Sequence, residues 1–207
     1  MLHPHTELAF IDERIGYGVV ATRRIPRGTI TWVLDELDQR ISPHRVRRLT
    51  TLQRTHLDKY AYVDRDGNWV LCWDLGRYLN HSCDPSCVSL YDFSMAVRDI
   101  APGEQLTDDY SSLNLDETFD CCCESPACRG EVGPDDFLRF ADTWDRAAAD
   151  VLPLLSSVQQ PLWSLVQEKD AVKAALSDPV ALRSCRESYF TPARVVRPRR
   201  RLRAAAG

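Results

Sequence analysis

Four cysteines crowd into CCCESPAC at residues 121–128, and two more lie in YLNHSCDPSC at residues 78–87. Cys121 and Cys123 form a C-x-C, and Cys128 follows after four intervening residues, so three thiolates can meet near one point. Structural zinc takes four ligands in a tetrahedron. Cys122, inside the C-x-C, points away, so the fourth ligand must come from elsewhere; Cys83, Cys87 and a histidine are the candidates. Cys72, Cys87 and Cys185 read as ordinary buried thiols. Clustered cysteines in a chain without an export signal point to metal before disulfides. His81 and Cys83 are a poor nucleophile and base, because such bases come from distant sequence positions; the two also lie on alternate sides of Ser82.

Two further stretches carry weaker signals. GYGVVA at 16–21 satisfies the glycine fingerprint of dinucleotide sites, with Asp35 about twenty residues on. That site needs a long helix, whereas VVATRRI is rich in β-branched residues and reaches Pro26 within eight residues of Gly18. The glycines still allow close backbone approach to a ligand. EQLTDDYSSL at 104–113 sets Tyr110 after two aspartates, a pattern that alone means little beyond a hydrogen-bonded packing residue.

These residues must be positioned by short elements. Residues 7–34 are β-rich runs cut by Gly16, Gly18 and a Pro26-Arg27-Gly28 turn. Residues 35–59 change period and read as an irregular or partly helical insertion. YAYV and WVLCW flank the turn DRDGN at 64–68, a hairpin pattern. VSLYD and SMAVRDI bracket a bend near Phe93, and APGE at 101–104 is another turn. After Pro134 the character becomes helical, with Phe137, Phe140, Ala141, Trp144 and Ala148 near helical spacing, and PLWSLVQEKDAVKAAL repeats it.

At 207 residues and 44% hydrophobic content the chain can bury a proper core. No stretch approaches the roughly 18 apolar residues of a membrane span, and the first ten residues lack signal-peptide form, so an intracellular place, cytoplasmic or nuclear, is expected. Net charge is −4, yet the last fourteen residues hold six arginines and no acid, which leaves a balance of −10 on the rest. An acidic body suits a basic partner; the tail is the feature that raises nucleic-acid binding. Lysine is confined to Lys59, Lys169 and Lys173, and the arginine excess reads as codon usage.

Taken in order, GYG, RYLNHSCDPSC, EQLTDDY and CCCESPACRG resemble the SET-domain protein-lysine N-methyltransferases with a post-SET zinc motif, from about residue 8 to Gly133. The resemblance implies a mostly β fold with some α: small curved β-sheets, a pseudoknot in which the NHSC segment and the C-terminal part of the domain thread, and a post-SET zinc site, to which the helical spacing after Pro134 adds a C-terminal helical extension outside the family core. It implies a SET domain at 7–118 with a variable insertion at about 35–59 and a post-SET segment at 119–133; outside the resemblance, periodicity gives a helical subdomain at 134–193 and composition an Arg-rich tail at 194–207. S-adenosylmethionine would be held around Gly16, Tyr17, Gly18, Asn80 and His81, with Arg77 matching the basic residue before the motif and Phe119 against the adenine. Structural zinc would take Cys83, Cys121, Cys123 and Cys128.

Tyr110 falls on the family's catalytic tyrosine, and a second channel tyrosine is Tyr60 or Tyr62. The implied substrate is a lysine in a protein or peptide, basic in character, and no membrane is involved. Ser86 replaces the usual asparagine, and Asp108 stands where relatives place Phe or Tyr. If Asp108 faces the amine, its carboxylate favours the ammonium form and opposes methyl transfer, which keeps a non-catalytic zinc-stabilised binding module as the alternative.

Overall fold

The structure, a computed structural model, describes residues 1–190. The arginine-rich tail lies outside the described residues. The chain runs through β1 (Thr6–Asp12), β2 (Gly16–Ala21), β3 (Ile30–Val33), β4 (Gln39–Ile41), α1 (Pro43–Val46), α2 (Thr51–Tyr60), β5 (Ala61–Val63) and β6 (Trp69–Leu71). It continues through β7 (Asn80–His81), β8 (Cys87–Leu90), β9 (Phe93–Ala96), β10 (Thr107–Asp108), β11 (Phe119–Asp120), β12 (Glu131–Val132), α3 (Asp136–Val151) and α4 (Lys169–Ser177). These strands form five small sheets of two or three strands, so the fold is mostly β with helices added, as expected for a SET domain.

Local chemistry explains most of the elements. β1 and β2 pair antiparallel as a ribbon, and the Asp12 carboxylate turns the chain by accepting from the backbone N–H groups of Arg14 and Ile15. β5 and β6 are the expected hairpin around DRDGN, and β4, which the sequence pattern does not mark, joins their sheet in the order β4-β6-β5. The 35–59 insertion is therefore part strand and part helix. α1 and α2 begin at Ser42 and Thr50, whose side chains accept from the first-turn backbone; Thr50 and Gln53 complete a capping box. β8 and β9 turn at Tyr91 and Asp92, with Tyr91 at φ 52°, and Phe93 lies inside the strand rather than at the bend.

Strand alternation divides the core into two layers. Val88, Leu90, Phe93 and Met95 join Ile30 and Val33 on one side, where they meet Phe137, Ala141, Trp144, Ala148 and Val151 of α3. That helical spacing is one continuous stripe. Cys87 and Ala96 face the opposite side and pack with Val19, Ala21, Ile25, Ile100 and Leu106. Gln160 pins the turn before β3 to the segment after α3: its Oε1 accepts from Ile30 N–H at 2.8 Å and its Nε2 donates to the Gly28 carbonyl at 2.8 Å. Gly28 has φ +87° and a Cβ there would fall 2.5 Å from Leu154 Cβ, so only glycine permits this approach. Among the described residues no helix is long and apolar enough to cross a membrane.

The element that matters most for the site is short. Residues 103–108 run between β2 and β7. On one side Gly103 and Leu106 donate to the Ala21 and Val19 carbonyls at 2.7 and 2.9 Å. Beyond them, β10 pairs in parallel with β7, Thr107 beside Asn80 and Asp108 beside His81.

Candidate functional site

This parallel pairing places the NHSC turn against the Tyr110 turn. Asn80 Nδ2 donates to the Tyr17 carbonyl at 3.3 Å and to Gln105 Oε1 at 2.9 Å. A Cβ on Gly18 would fall 2.5 Å from Asn80 Nδ2 and 2.6 Å from Gln105 Oε1, so the glycine is what lets Asn80 reach the ribbon. Gly16, at φ +82°, has open space where a Cβ would be. Tyr17 turns its ring outward onto Phe10, leaving its carbonyl at the site.

His81 is buried between rings, 5.5 Å from both Tyr110 and Phe119. Its Nδ1 accepts from Tyr110 N–H at 3.1 Å, which leaves the ring proton on Nε2, 3.3 Å from Cys83 Sγ. Burial pulls the imidazole pKa down to about 4, with nearby Asp109 opposing and Arg129 adding to the fall, so the ring is neutral at pH 7. Tyr110 donates its hydroxyl to the Leu79 carbonyl at 2.6 Å, and burial, then the Asp108 carboxylate, raise its pKa.

The cysteines converge as their spacing predicts. Cys83 Sγ lies 3.7 Å from Cys121 Sγ, Cys128 Sγ lies 3.8 Å from Cys121 Sγ, and Cys83 N–H donates to Cys123 Sγ. Thiolates at the usual zinc distance sit about 3.8 Å apart along a tetrahedron edge, and the Cys83–Cys121 and Cys121–Cys128 separations match that edge. The group whose ligand atoms all lie within 4.8 Å of one another is His81, Cys83, Cys121 and Cys123, with an imidazole where the expected set has Cys128. Cys122 is exposed, and Cys72 and Cys87 are buried away from the cluster.

Arg129 ties the cluster to the rest. Its backbone N–H and Nε both donate to Cys83 Sγ at 3.4 and 3.3 Å, Nη2 donates to Asp109 Oδ1 at 2.6 Å and Nη1 to Ser111 Oγ at 3.2 Å. The same guanidinium lies 4.5 Å from the Phe140 ring and 3.7 Å from Asp136 of α3. Sequence reading singles out neither Arg129, Asp109 nor Gln105. Arg129 had a signal, a cation directly after the last cysteine of the cluster; the other two reach the site only through the threading.

The remaining candidates divide. Phe119 joins the ring group, 6.1 Å from Tyr110. Tyr60 packs on Tyr78 at 5.4 Å and Tyr62 on Trp32 at 6.2 Å, and among the described residues neither ring contacts Tyr110. Arg77 folds back onto the Asp74 and Trp73 carbonyls, so its charge is spent on the local turn. Asp108 is buried, and among the described residues its carboxylate accepts no hydrogen bond. Burial and then the neighbouring Asp109 raise its pKa to about 6, while its own charge adds to the burial that lifts Cys87 to about 12.

Residues 16–111 match the family model of the SET domain. A putative histone-lysine N-methyltransferase ASHH4 of Arabidopsis thaliana is 31% identical over 137 residues, covering 58% of this chain and 38% of that protein. Histone-lysine N-methyltransferase TRX1 of Oryza sativa subsp. japonica is 31% identical over 144 residues, 60% of this chain and 14% of its own length. Histone-lysine N-methyltransferase Set2 of Drosophila melanogaster is 28% identical over 138 residues, 60% of this chain and 6% of its own. The chain thus spans well under half the length of these relatives. With the threaded segment, the small sheets and this match in agreement, residues 16–111 of the chain are a SET domain.

Proposed function

We propose that the chain is an S-adenosylmethionine-dependent methyltransferase acting on the side-chain amine of lysine in a protein substrate, with a structural zinc held by Cys83, Cys121, Cys123 and Cys128. The observation that carries this reading is one cluster: Asn80 bonded to the Tyr17 carbonyl, Tyr110 anchored on the Leu79 carbonyl, and four thiols packed behind the same turn. The bound cofactor supplies a methyl group on a positively charged sulfur. The residues then have positioning work, which can provide a large share of the barrier reduction. The ribbon at Gly16, Tyr17 and Gly18 and the Asn80 side chain offer backbone and amide contacts to it, and Phe119 with His81 offers ring faces.

Tyr110 holds a hydroxyl in place beside the reacting groups, fixed by its bond to Leu79. Its raised pKa keeps it protonated, so it orients the amine and is no base at neutral pH. Burial in this region also favours a neutral lysine amine over the ammonium. The relatives' printed activity, and the acidic balance of residues 1–193, support a basic, histone-like substrate and a nuclear or cytoplasmic place of action. The buried Asp108 carboxylate favours one second reading, a binding module that keeps the fold without transferring methyl groups.

The test is to incubate the chain with labelled methyl donor and core histones or cell lysate. Label moves to protein lysine, and Tyr110→Phe reduces it at least tenfold. Asn80→Ala loses cofactor binding by calorimetry while retaining metal, and Cys83→Ser loses metal. Unchanged transfer in Tyr110→Phe overturns the catalytic assignment; cofactor binding without transfer to any protein selects the module.

A further inference from the structure

The insertion carries a charge arrangement unlike the rest of the molecule. Residues 39–57 contain Arg40, Arg45, Arg47, Arg48 and Arg54 with His44 and His56, and no acid at all, within a body of net negative charge. Of the arginines outside this stretch, Arg14, Arg24, Arg98, Arg129, Arg139, Arg183 and Arg186 each have a carboxylate partner, and within it Arg54 pairs with Asp58. Arg45, Arg47 and Arg48 are exposed and, among the described residues, have none.

Three of the insertion's groups face one cavity. A hollow of about 530 Å³ is lined by His44, Arg45, Arg48, Leu49 and Gln53. Gln53 spends its Oε1 on the Thr50 cap, so its amide N–H₂ is a further donor, without an acceptor among the described residues. Every polar group offered to this hollow is thus a donor or, in histidine, can become one. Converging cations without a counter-charge repel one another, and an anion of matching shape relieves that repulsion.

We propose that this hollow is a phosphate-binding site, formed by His44, Arg45, Arg48 and Gln53, that seats the backbone of a duplex nucleic acid. The proposal stands apart from the methyl-transfer reading. Guanidinium forks suit phosphate oxygens, and the insertion places arginine at two of these four positions, Arg45 and Arg48. An acidic peptide would need an apolar anchor in a fitted pocket, and the lining has only half-buried Leu49. A single strand would need aromatic stacking platforms, and the lining holds no Phe, Tyr or Trp. What remains is contact with the backbone alone.

The test uses the full chain and a labelled mixed-sequence DNA duplex, with affinity measured by fluorescence anisotropy across a salt series. The variant is Arg45→Gln with Arg48→Gln, since both side chains are exposed and neither supports the α1 or α2 caps. Each lost phosphate contact lowers the log–log salt slope by about 0.9, so the double variant should lose about 2 units of slope and roughly one to two orders of magnitude in affinity. Arg23→Gln, an exposed arginine outside the insertion, should change neither, and circular dichroism should match the parent throughout. Since all variants keep the same C-terminal arginines, the slope difference reports the insertion. An unchanged slope in the double variant, equal loss in Arg23→Gln, or tighter binding of polyglutamate than of the duplex each overturns the proposal.

Discussion

Asp108 is the residue whose chemistry fits its surroundings least. It is buried beside Tyr110, Cys87 and Asp109, and no arginine or lysine is among the charges that set its pKa of about 6. In the unfolded chain an aspartate titrates near 3.9. The folded state therefore holds more protons between these values, and stability contributed by the protonated form is lost as pH rises through the folded pKa. The gap of about two pKa units corresponds to about 3 kcal/mol, fully expressed above pH 6 or so. Asp108→Asn should shift in stability relative to the parent by about that amount between roughly pH 3 and pH 8, in favour of the variant at high pH. Urea unfolding at the two pH values measures it, and parallel pH profiles would refute a buried, destabilised carboxylate. If methyl transfer also rises in Asp108→Asn, the charge opposes a neutral amine as the sequence suggests.

At the scale of elements, the β1–β2 ribbon is set by a glycine that makes room for an asparagine. Gly18→Val adds a side chain where Asn80 Nδ2 and Gln105 Oε1 now stand, so Asn80 must leave the Tyr17 carbonyl. The expected cost is about 1–3 kcal/mol of stability from overpacking, with cofactor affinity falling more steeply than metal content. Calorimetry and metal analysis on one sample separate the two. Elements with local signals are legible in sequence: the DRDGN hairpin, the APGE turn, and α3 with its Phe137–Ala141–Trp144–Ala148 stripe. β7 and β10 are not, because two residues carry no period and their parallel pairing joins segments distant in the chain. β4 is likewise too short to mark. Spacing gathers Cys121, Cys123 and Cys128, yet on spacing alone Cys83, Cys87 and a histidine are equal candidates. In the fold Cys87 turns into the core while Cys83 turns toward the other three, since residues 83–86 between them form a bend and strand β8 begins only at Cys87.

For the whole molecule, Arg129 is where separate parts meet. One side chain joins Cys83, the Asp109–Ser111 turn that carries Tyr110, and α3 through Asp136 and Phe140. Arg129→Gln should lower metal affinity by roughly 10- to 100-fold, the usual effect of losing a hydrogen-bond partner to a metal ligand. Cobalt substitution gives the readout: the thiolate charge-transfer band should move as Cys83 loses its donor, and Arg129→Lys should restore part of the shift. An unmoved band and unchanged affinity would leave Arg129 with only a packing role. The charge division is equally a property of the whole chain. Its sequence shows an acidic body, a basic end and an acid-free stretch at 39–57, and the structure gathers Arg45 and Arg48 of that stretch on one exposed hollow.

The threading of residues 103–108 also fixes an order of events. A segment bonded to β2 on one edge and to β7 on the other completes its pairing only when both rails exist, and those rails come from opposite sides of the insertion. Loop closure must be met before any of these contacts forms, which places the molecule among slow, non-local folders. Tyr110 follows directly after the thread. The tyrosine turn is therefore among the last parts of the domain to be seated, and a chain still unthreaded has sheets, helix and thiols but no site.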